Sequence, residues 1–443
     1  MSVDRELTDD ELIDILGSTI KHDNENKAIT FKAMLLTYTE EDQINVGFLA
    51  EASTGKSYIP LELGWYFPKE DVVPLGYASP TSFWHDKGIL MLKQGIPINW
   101  DMKPTKAKVK EDLEWEKSNP SKEEIERAYE RKKQEWKKLL RDAYYFINWE
   151  RKIIIFLDQP HDMLLQRLRP LLSHDVRELP LKITDPKERH GLRTKNIVIR
   201  GFPTVIFCSA KITMKEQEKT RLLLLSPEVS QEKLRESIAM KIERESDREE
   251  FHKRMESDPN RRALKERVEL VKKAHIKHIK IPEEARSFIY NKFIEDHRFL
   301  IPRHQRDIGR LLALIKANAL LNFAFRKREG DAIIVNDSDI ESGFRLYYGI
   351  AEANELGLPP EIFRVYMVLK PFLDNNENGI TRKEFQEWYF KNFHKPIGRD
   401  GASDILKILD SVGLVVEQPD PVDKRLLRYV LPNSGVEISK NDS

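Results

Sequence analysis

Hydrophobic and polar positions change their period several times along the chain. Residues 1–40 carry helical spacing and end in the polar turn EEDQ. INVGFLA (44–50) is apolar with little alternation, the pattern of a strand buried on both faces of a parallel sheet. A helix of roughly ten residues separates it from a second short strand, DVVPLGYA (71–78), which predicts a βαβ unit. RKIIIFLDQPH (151–161), NIVIRGF (196–202), TVIFCSA (204–210) and TRLLLLSPE (220–228) are further strand candidates. Strands alternating with helices at this spacing predict an α/β fold with a parallel sheet. From 230 to 356 the pattern is almost wholly helical. From 359 to 432 it changes again, to three short helices and two strands flanking EQPDPVDKR.

Residues 104–146 interrupt this order with a run dense in Lys and Glu, in which Ser121 and Glu124 form a capping box. A solvated helix laced with i,i+4 pairs is the plain reading, and a partner- or DNA-facing helix is the alternative.

Composition narrows the class. Of 443 residues, 40% are hydrophobic and 33% charged, as in a globular protein with a heavily charged surface. No apolar run approaches the roughly 20 residues of a membrane span, and the acidic N-terminus is unlike a signal peptide. A single cysteine, Cys208, excludes internal disulfides and suits a reducing, cytoplasmic setting. The net charge is +1, from 74 basic and 73 acidic residues, so nucleic-acid binding would have to rest on local basic clusters.

The candidate chemistry begins at AEASTGKSY, residues 50–58. A small residue, Ala50, is followed by four others (Glu51, Ala52, Ser53, Thr54) and then by Gly55-Lys56-Ser57, with Tyr58 next. Gly55 permits a tight backbone turn with amides pointing inward at phosphate oxygens. Lys56 would reach the β- and γ-phosphates of ATP, and Ser57 would ligate Mg²⁺. A helix starting at 56 would add its positive end. The segment lies between a predicted strand and a helix, the context such a loop requires. Farther along, IIIFLD ends a buried strand in Asp158, the second expected ligand of the metal. Gln159 follows where a water-polarising glutamate is usual. A glutamine orients water but is a poor base, so hydrolysis is slow or another acid, Asp162 or Glu51, takes over.

This order of elements resembles the AAA+ ATPases over roughly residues 30–325. It is most similar to the clade with a β-hairpin inserted before the sensor strand, as in minichromosome-maintenance helicases and the helicase modules of phage and plasmid primase-helicases. The hairpin would be LPLKITDPKERHGLRTKNIVIRG (179–201). The resemblance makes Lys187, Arg189, His190 and Arg193 its DNA-phosphate-gripping tip; an ordinary charged surface hairpin is the plain alternative. It also implies that Ser209, ending TVIFCSA, senses the γ-phosphate. Arg221, before LLLL, would be a finger reaching a neighbouring subunit's ATP. The helix 303–323 would be the lid helix, with Arg306 or its neighbour Arg310 as a second sensor.

DNNENGITRKEF (374–385) is spaced like a calcium loop, but Phe385 stands where a bidentate carboxylate is needed. Thr381 and Glu384 instead predict a helix cap. The final tract reads as a winged helix whose third helix, SDILKILDSVG, is apolar and acidic, with the basic loop HKPIGRDG before it. DNA contact and protein contact both remain open for it.

The expected fold is therefore α/β: a P-loop AAA+ parallel-sheet core with a helical lid, followed by a C-terminal winged helix. The expected divisions are an N-terminal helical segment (1–40), the ATPase core (41–230, with a charged helical insertion at 104–146 and the hairpin at 179–201), the lid and linker (231–356) and the winged helix (357–443). The expected activity is that of an ATP-dependent DNA helicase or translocase of a replication system, plasmid- or virus-derived among the options. It would work as a homo-oligomeric ring, expected to be a hexamer, with any primase or polymerase partner separate, since the segment before the core is too short for a primase. A nucleotide-switched replication initiator and a protein-remodelling ATPase are the alternatives.

Overall fold

The computed structural model describes residues 5–432 other than 51–52, 77–87, 117–118, 159–161, 175, 186–192, 210–220, 298–299, 301–302, 352–353, 355, 357, 377, 421–423 and 425. Ahead of residue 230 the strands are β1 (Asn45–Leu49), β2 (Val72–Leu75), β3 (Ile89–Met91), β4 (Tyr144–Asn148), β5 (Ile153–Phe156), β6 (Glu178–Asp185), β7 (Arg193–Arg200), β8 (Thr204–Ser209) and β9 (Leu222–Leu225). Five of them form an all-parallel sheet in the order β2-β5-β8-β1-β9. Strands β1, β5, β8 and β9 are buried along their whole length, which explains why their sequences do not alternate. The edge strand β2 is only half-buried and tolerates Pro74.

The other four strands form a second sheet, β3-β4-β7-β6, in which β4 and β7 are parallel and the remaining pairs antiparallel. Contacts divide the chain into two compact units, 1–77 with 153–159 and 204–443, and 78–152 with 160–203. The second sheet belongs to the latter.

In the first unit, helices α1 (Asp9–Gly17) and α2 (Asn24–Leu35) precede β1, and α3 (Tyr58–Leu63) follows it. The second unit holds α4 (Lys106–Glu116), α5 (Lys122–Arg141) and α6 (Asp162–Leu172). The Ser121–Glu124 capping box forms as expected. The charged insertion, however, is not helical throughout 104–146, because Tyr144–Asn148 is β4. Its aromatic and branched residues pair with β7 on one side and β3 on the other, and this pairing overrides the helical run before it. The expected hairpin is present as β6 and β7, in register from Glu178 opposite Arg200 to Asp185 opposite Arg193.

Returning to the first unit, α7 (Gln231–Ser246), α8 (Arg248–Ser257), α9 (Pro259–Ala274), α10 (Glu283–Asp296), α11 (His304–Leu321) and α12 (Asp337–Tyr348) fill most of the helical stretch. That stretch is not all helix. Strands β10 (His278–Lys280), β11 (Arg328–Glu329) and β12 (Ala332–Ile334) form a small sheet in the order β10-β12-β11, each too short to show a period of two.

One apolar core joins the parallel sheet to helices on both sides of it in sequence: Leu12, Phe31, Phe48, Ile206, Leu314 and Phe344 belong to a single cluster. The stretches 1–40 and 231–356 share this core with the parallel-sheet part of 41–230. A buried ammonium marks the junction. Lys32 Nζ donates to Asp9 Oδ1 at 2.5 Å, Asn318 Oδ1 at 2.9 Å and Ser342 Oγ at 2.6 Å, using all three protons.

The C-terminal module has its own core, built on Ile362, Leu369, Phe385, Trp388, Leu406 and Tyr429. Its elements are α13 (Pro360–Asp374), β13 (Ile380–Thr381), α14 (Arg382–Phe393), α15 (Arg399–Ser411), β14 (Val416–Pro419) and β15 (Leu427–Val430), with sheet order β13-β15-β14. Thr381 and Glu384 cap α14 as expected. Gly379 has φ +68°, and a Cβ there would sit 2.3 Å from the Tyr429 carbonyl, so the residues spaced like a calcium loop form a strand entry. Helix α15 starts at Arg399 rather than Ser403, taking Arg399 and Asp400 from the expected loop into its first turn.

Candidate functional site

The parallel sheet builds its candidate site at the carboxyl ends of its strands. Ladder partners Phe156–Phe207, Gly47–Phe207 and Gly47–Leu224 lie in one row across β5, β8, β1 and β9. Two residues further along each strand, the same row carries Asp158, Ser209, Leu49 and Ser226. With parallel strands spaced about 4.8 Å apart, the Asp158 and Leu49 backbones are about 10 Å apart. The chain leaves β1 towards the β2 edge and leaves β8 towards the β9 edge. Ligands bind in open α/β sheets where neighbouring connections diverge in this way, here between β1 and β8.

The 50–58 turn starts at that divergence. Ala50 N–H donates to the Ser209 carbonyl at 3.3 Å, and Ser226 Oγ donates to the Leu49 carbonyl at 2.7 Å, fixing the end of β1 from both flanks. Ser53 and Gly55 both have positive φ, 64° and 94°. Gly55 adopts this region freely, whereas it is uncommon for a residue with a Cβ such as Ser53. Helix α3 begins at Tyr58, not at residue 56 as expected, and Pro60 sits in its first turn. Lys56 and Ser57 therefore belong to the turn.

Lys56 is tied to β8, since the Cys208 thiol donates to its carbonyl at 3.3 Å. Burial pushes the Cys208 pKa up to about 12, and the Lys56 charge opposes that shift. Tyr58 anchors the other side of the turn by donating from its hydroxyl to the Thr19 carbonyl at 2.9 Å. Ser209 is fully buried, whereas Asp158 is exposed, one residue past the last backbone bond of its strand, Leu157 N–H to Leu75 carbonyl at 2.9 Å.

The ammonium of Lys56, the hydroxyl of Ser57 and the carboxylate of Asp158 are a donor set whose chemistry suits a phosphate chain with a magnesium ion. Among the described residues no group of three or more His, Cys, Asp or Glu could hold a metal by itself. A magnesium ion here would draw most of its ligands from phosphate and water, as that ion commonly does.

Arg221 lies elsewhere. It precedes Leu222, which pairs with Asn45 at the start of β1, so it stands at the amino edge of the sheet. Five residues of strand separate it from the Ser226 level, about 16 Å. Arg310 is also at that edge. Its guanidinium donates to the Leu222 carbonyl at 2.7 Å and to Asp307 Oδ1 at 2.6 Å, and burial pushes its pKa down to about 10. These bonds hold the Arg310 guanidinium against the start of β9. Arg306 is exposed one turn earlier on α11, about 6 Å from Arg310 along the helix.

Glu51, Ala52, Gln159, Lys187, Arg189 and His190 lie outside the described residues, and so do the side chains of Asp162 and Arg193. Arg193 is placed in backbone alone, opposite Asp185 at the end of the hairpin ladder.

Two features of this edge went unread in the sequence. Asp23, at φ 52°, accepts at Oδ1 from Glu228 N–H at 2.6 Å and from Asn26 Nδ2 at 2.9 Å, and pairs with Lys233. It thereby ties the N-terminal segment to the loop after β9. Arg261 on α9 is buried against Trp65 and Tyr66, with its guanidinium 4.6 Å and 5.4 Å from their ring centres. Both pairings join residues far apart in sequence, and no local pattern announces them. No described helix is long and apolar enough to cross a membrane. No family model matches the chain, and no curated protein matches it.

Proposed function

We propose that the protein is an ATPase that couples nucleotide hydrolysis to movement on DNA, a helicase or translocase working as a homo-oligomeric ring. The observation that carries this reading is the row Asp158–Ser209–Leu49 at the carboxyl edge, with the Lys56–Ser57 turn springing from its end. In this reading backbone N–H groups of residues 53–57 hold the phosphates and Lys56 neutralises the β- and γ-phosphate charge. Ser57 and Asp158 would hold a bound Mg²⁺, which would supply charge neutralisation to the phosphates. Ser209 lies between the two and orients the γ-phosphate or its water.

The amino-edge position of Arg221 supports assembly, because an arginine about 16 Å along the strand from its own turn can serve only another copy's phosphates. The hairpin of β6 and β7, with the basic DPKERHGLR segment between its strands, would grip DNA phosphates without reading sequence. The C-terminal module, read as a winged helix, would add a second contact, to DNA or to a partner such as a primase or polymerase.

The test is ATP binding and turnover with and without single-stranded and duplex DNA, beside Lys56→Ala. DNA-stimulated turnover that Lys56→Ala abolishes is expected. ATP turnover indifferent to DNA would instead favour a remodelling ATPase, and failure to bind ATP at millimolar concentration would overturn the reading. Gln159, a weak base, favours one second reading, a slow nucleotide-switched initiator that binds DNA stably with ATP and turns over rarely.

A further inference from the structure

Helix α5 pairs its charges towards α4 and carries a mainly cationic row on the other side, flanked by Glu123 and Glu130. Towards α4, Lys106 pairs with Glu126 at 2.6 Å and Lys132 with Asp112 at 2.5 Å, while Lys133 pairs with Glu130 within α5 at 2.7 Å. Its apolar groups turn the same way, with Trp136 against Trp100 at 6.3 Å between ring centres. The opposite side is a row at spacings of four, three, four and three: Arg127, Arg131, Gln134, Lys138 and Arg141, all exposed. Two of its cations have only loose, exposed pairings, Arg127 with Glu123 at 3.6 Å and Arg141 with Asp142 at 3.7 Å. Such contacts contribute little in water.

We infer that this row is a docking surface for the phosphodiester backbone of nucleic acid. From Arg127 to Arg141 is fourteen residues, a row about 21 Å long at 1.5 Å per residue. A row of that length can face about three to four successive phosphates of one strand, roughly 6–7 Å apart along the backbone. Long cations in a straight line, with one amide among them, suit phosphate contact and carry no base-reading pattern. A membrane surface fits worse, because surface-lying helices need an apolar face free to enter lipid, and that face of α5 is turned to α4. The favourable position of cations near a helix C-terminus accounts for the last turn but not for Arg127 and Arg131 two to three turns earlier.

This inference deepens the proposed function by giving the same partner a contact separate from the hairpin. Its test reads binding without nucleotide, so that its failure is distinguishable from failure of the ATPase reading. Labelled 30-mer duplex and single-stranded DNA are titrated with the full chain across salt concentrations, beside Arg127→Gln/Arg131→Gln/Lys138→Gln/Arg141→Gln. Glutamine keeps the helix, and the double variant Arg131→Gln/Lys138→Gln serves if the quadruple one does not fold. The quadruple variant should bind duplex DNA at least tenfold more weakly at low salt. Its salt slope should be shallower by about 3, near 0.9 per lost phosphate contact. Arg127→Lys/Arg131→Lys/Arg141→Lys should restore binding. Unchanged affinity and slope would overturn the inference. So would a wild-type chain that prefers phosphatidylserine vesicles or polyglutamate to DNA and loses that preference in the quadruple variant.

Discussion

The thiol of Cys208 donates to the carbonyl of Lys56 at 3.3 Å, pinning the candidate phosphate turn to the strand beside it. The bond holds only while the thiol is protonated, and burial keeps it so by raising its pKa to about 12. The native cysteine should resist thiol-directed reagents at pH 8 and react rapidly in denaturant, as timed by dithionitrobenzoate release. The stability from this group is full below the unfolded thiol pKa near 8.5. It is lost as pH rises towards 12, because the unfolded thiol ionises first. Fast labelling of the folded protein at pH 8 would contradict the burial.

Gly55 has φ +94°, and a Cβ there would meet no described atom within 4 Å. The cost of Gly55→Ala is therefore conformational, about 1–2 kcal/mol of local strain. Because the strain falls on the turn, nucleotide affinity should drop about tenfold or more while the melting midpoint moves by only a few degrees. Calorimetry and an ATP titration on the same sample separate the two effects. Unchanged affinity would mean that the turn does not hold phosphate.

Arg221 and Lys56 stand at opposite ends of neighbouring strands. If Arg221 completes another copy's site, Arg221→Ala and Lys56→Ala should each be inactive alone and regain part of the activity when mixed. Each variant alone should lose about 10²–10³-fold in turnover. Mixtures that stay inactive at every ratio, while still co-assembling, would place Arg221 outside the chemistry.

Lys27 is buried in α2, where its ammonium donates to the Ile20 carbonyl at 3.2 Å, and burial lowers its pKa to about 8. Below pH 8 both states carry the proton and the folded state bears the whole cost of the buried charge. Between pH 8 and the unfolded value near 10.5, the unfolded state binds more protons, so stability from this group rises with pH. Lys27→Met should be more stable than the parent at pH 7, and that advantage should shrink by pH 10. A melting difference that is constant across this range would refute the shift.

The sequence by itself determined the local elements whose cause is local. Unalternating apolar runs gave β1, β5, β8 and β9, because strands buried on both faces have no solvent-facing side to carry an alternating polar set. Ser121 with Glu124, and Thr381 with Glu384, marked helix starts because a cap is satisfied within one turn. The sequence also named Lys56, Ser57 and Asp158 as one candidate set. The tertiary structure alone decided which strands are neighbours, so only the register row puts Asp158 level with the end of β1, from which the Lys56–Ser57 turn leaves, and Arg221 at the other edge. It assigned β4 to a second sheet, because a strand following a charged helix is stabilised by partners far away in sequence. It also gave Arg310 to the Leu222 carbonyl and Asp23 to the Glu228 amide. Those bonds depend on which segments meet in the folded chain, and charge and spacing along one segment carry no trace of them.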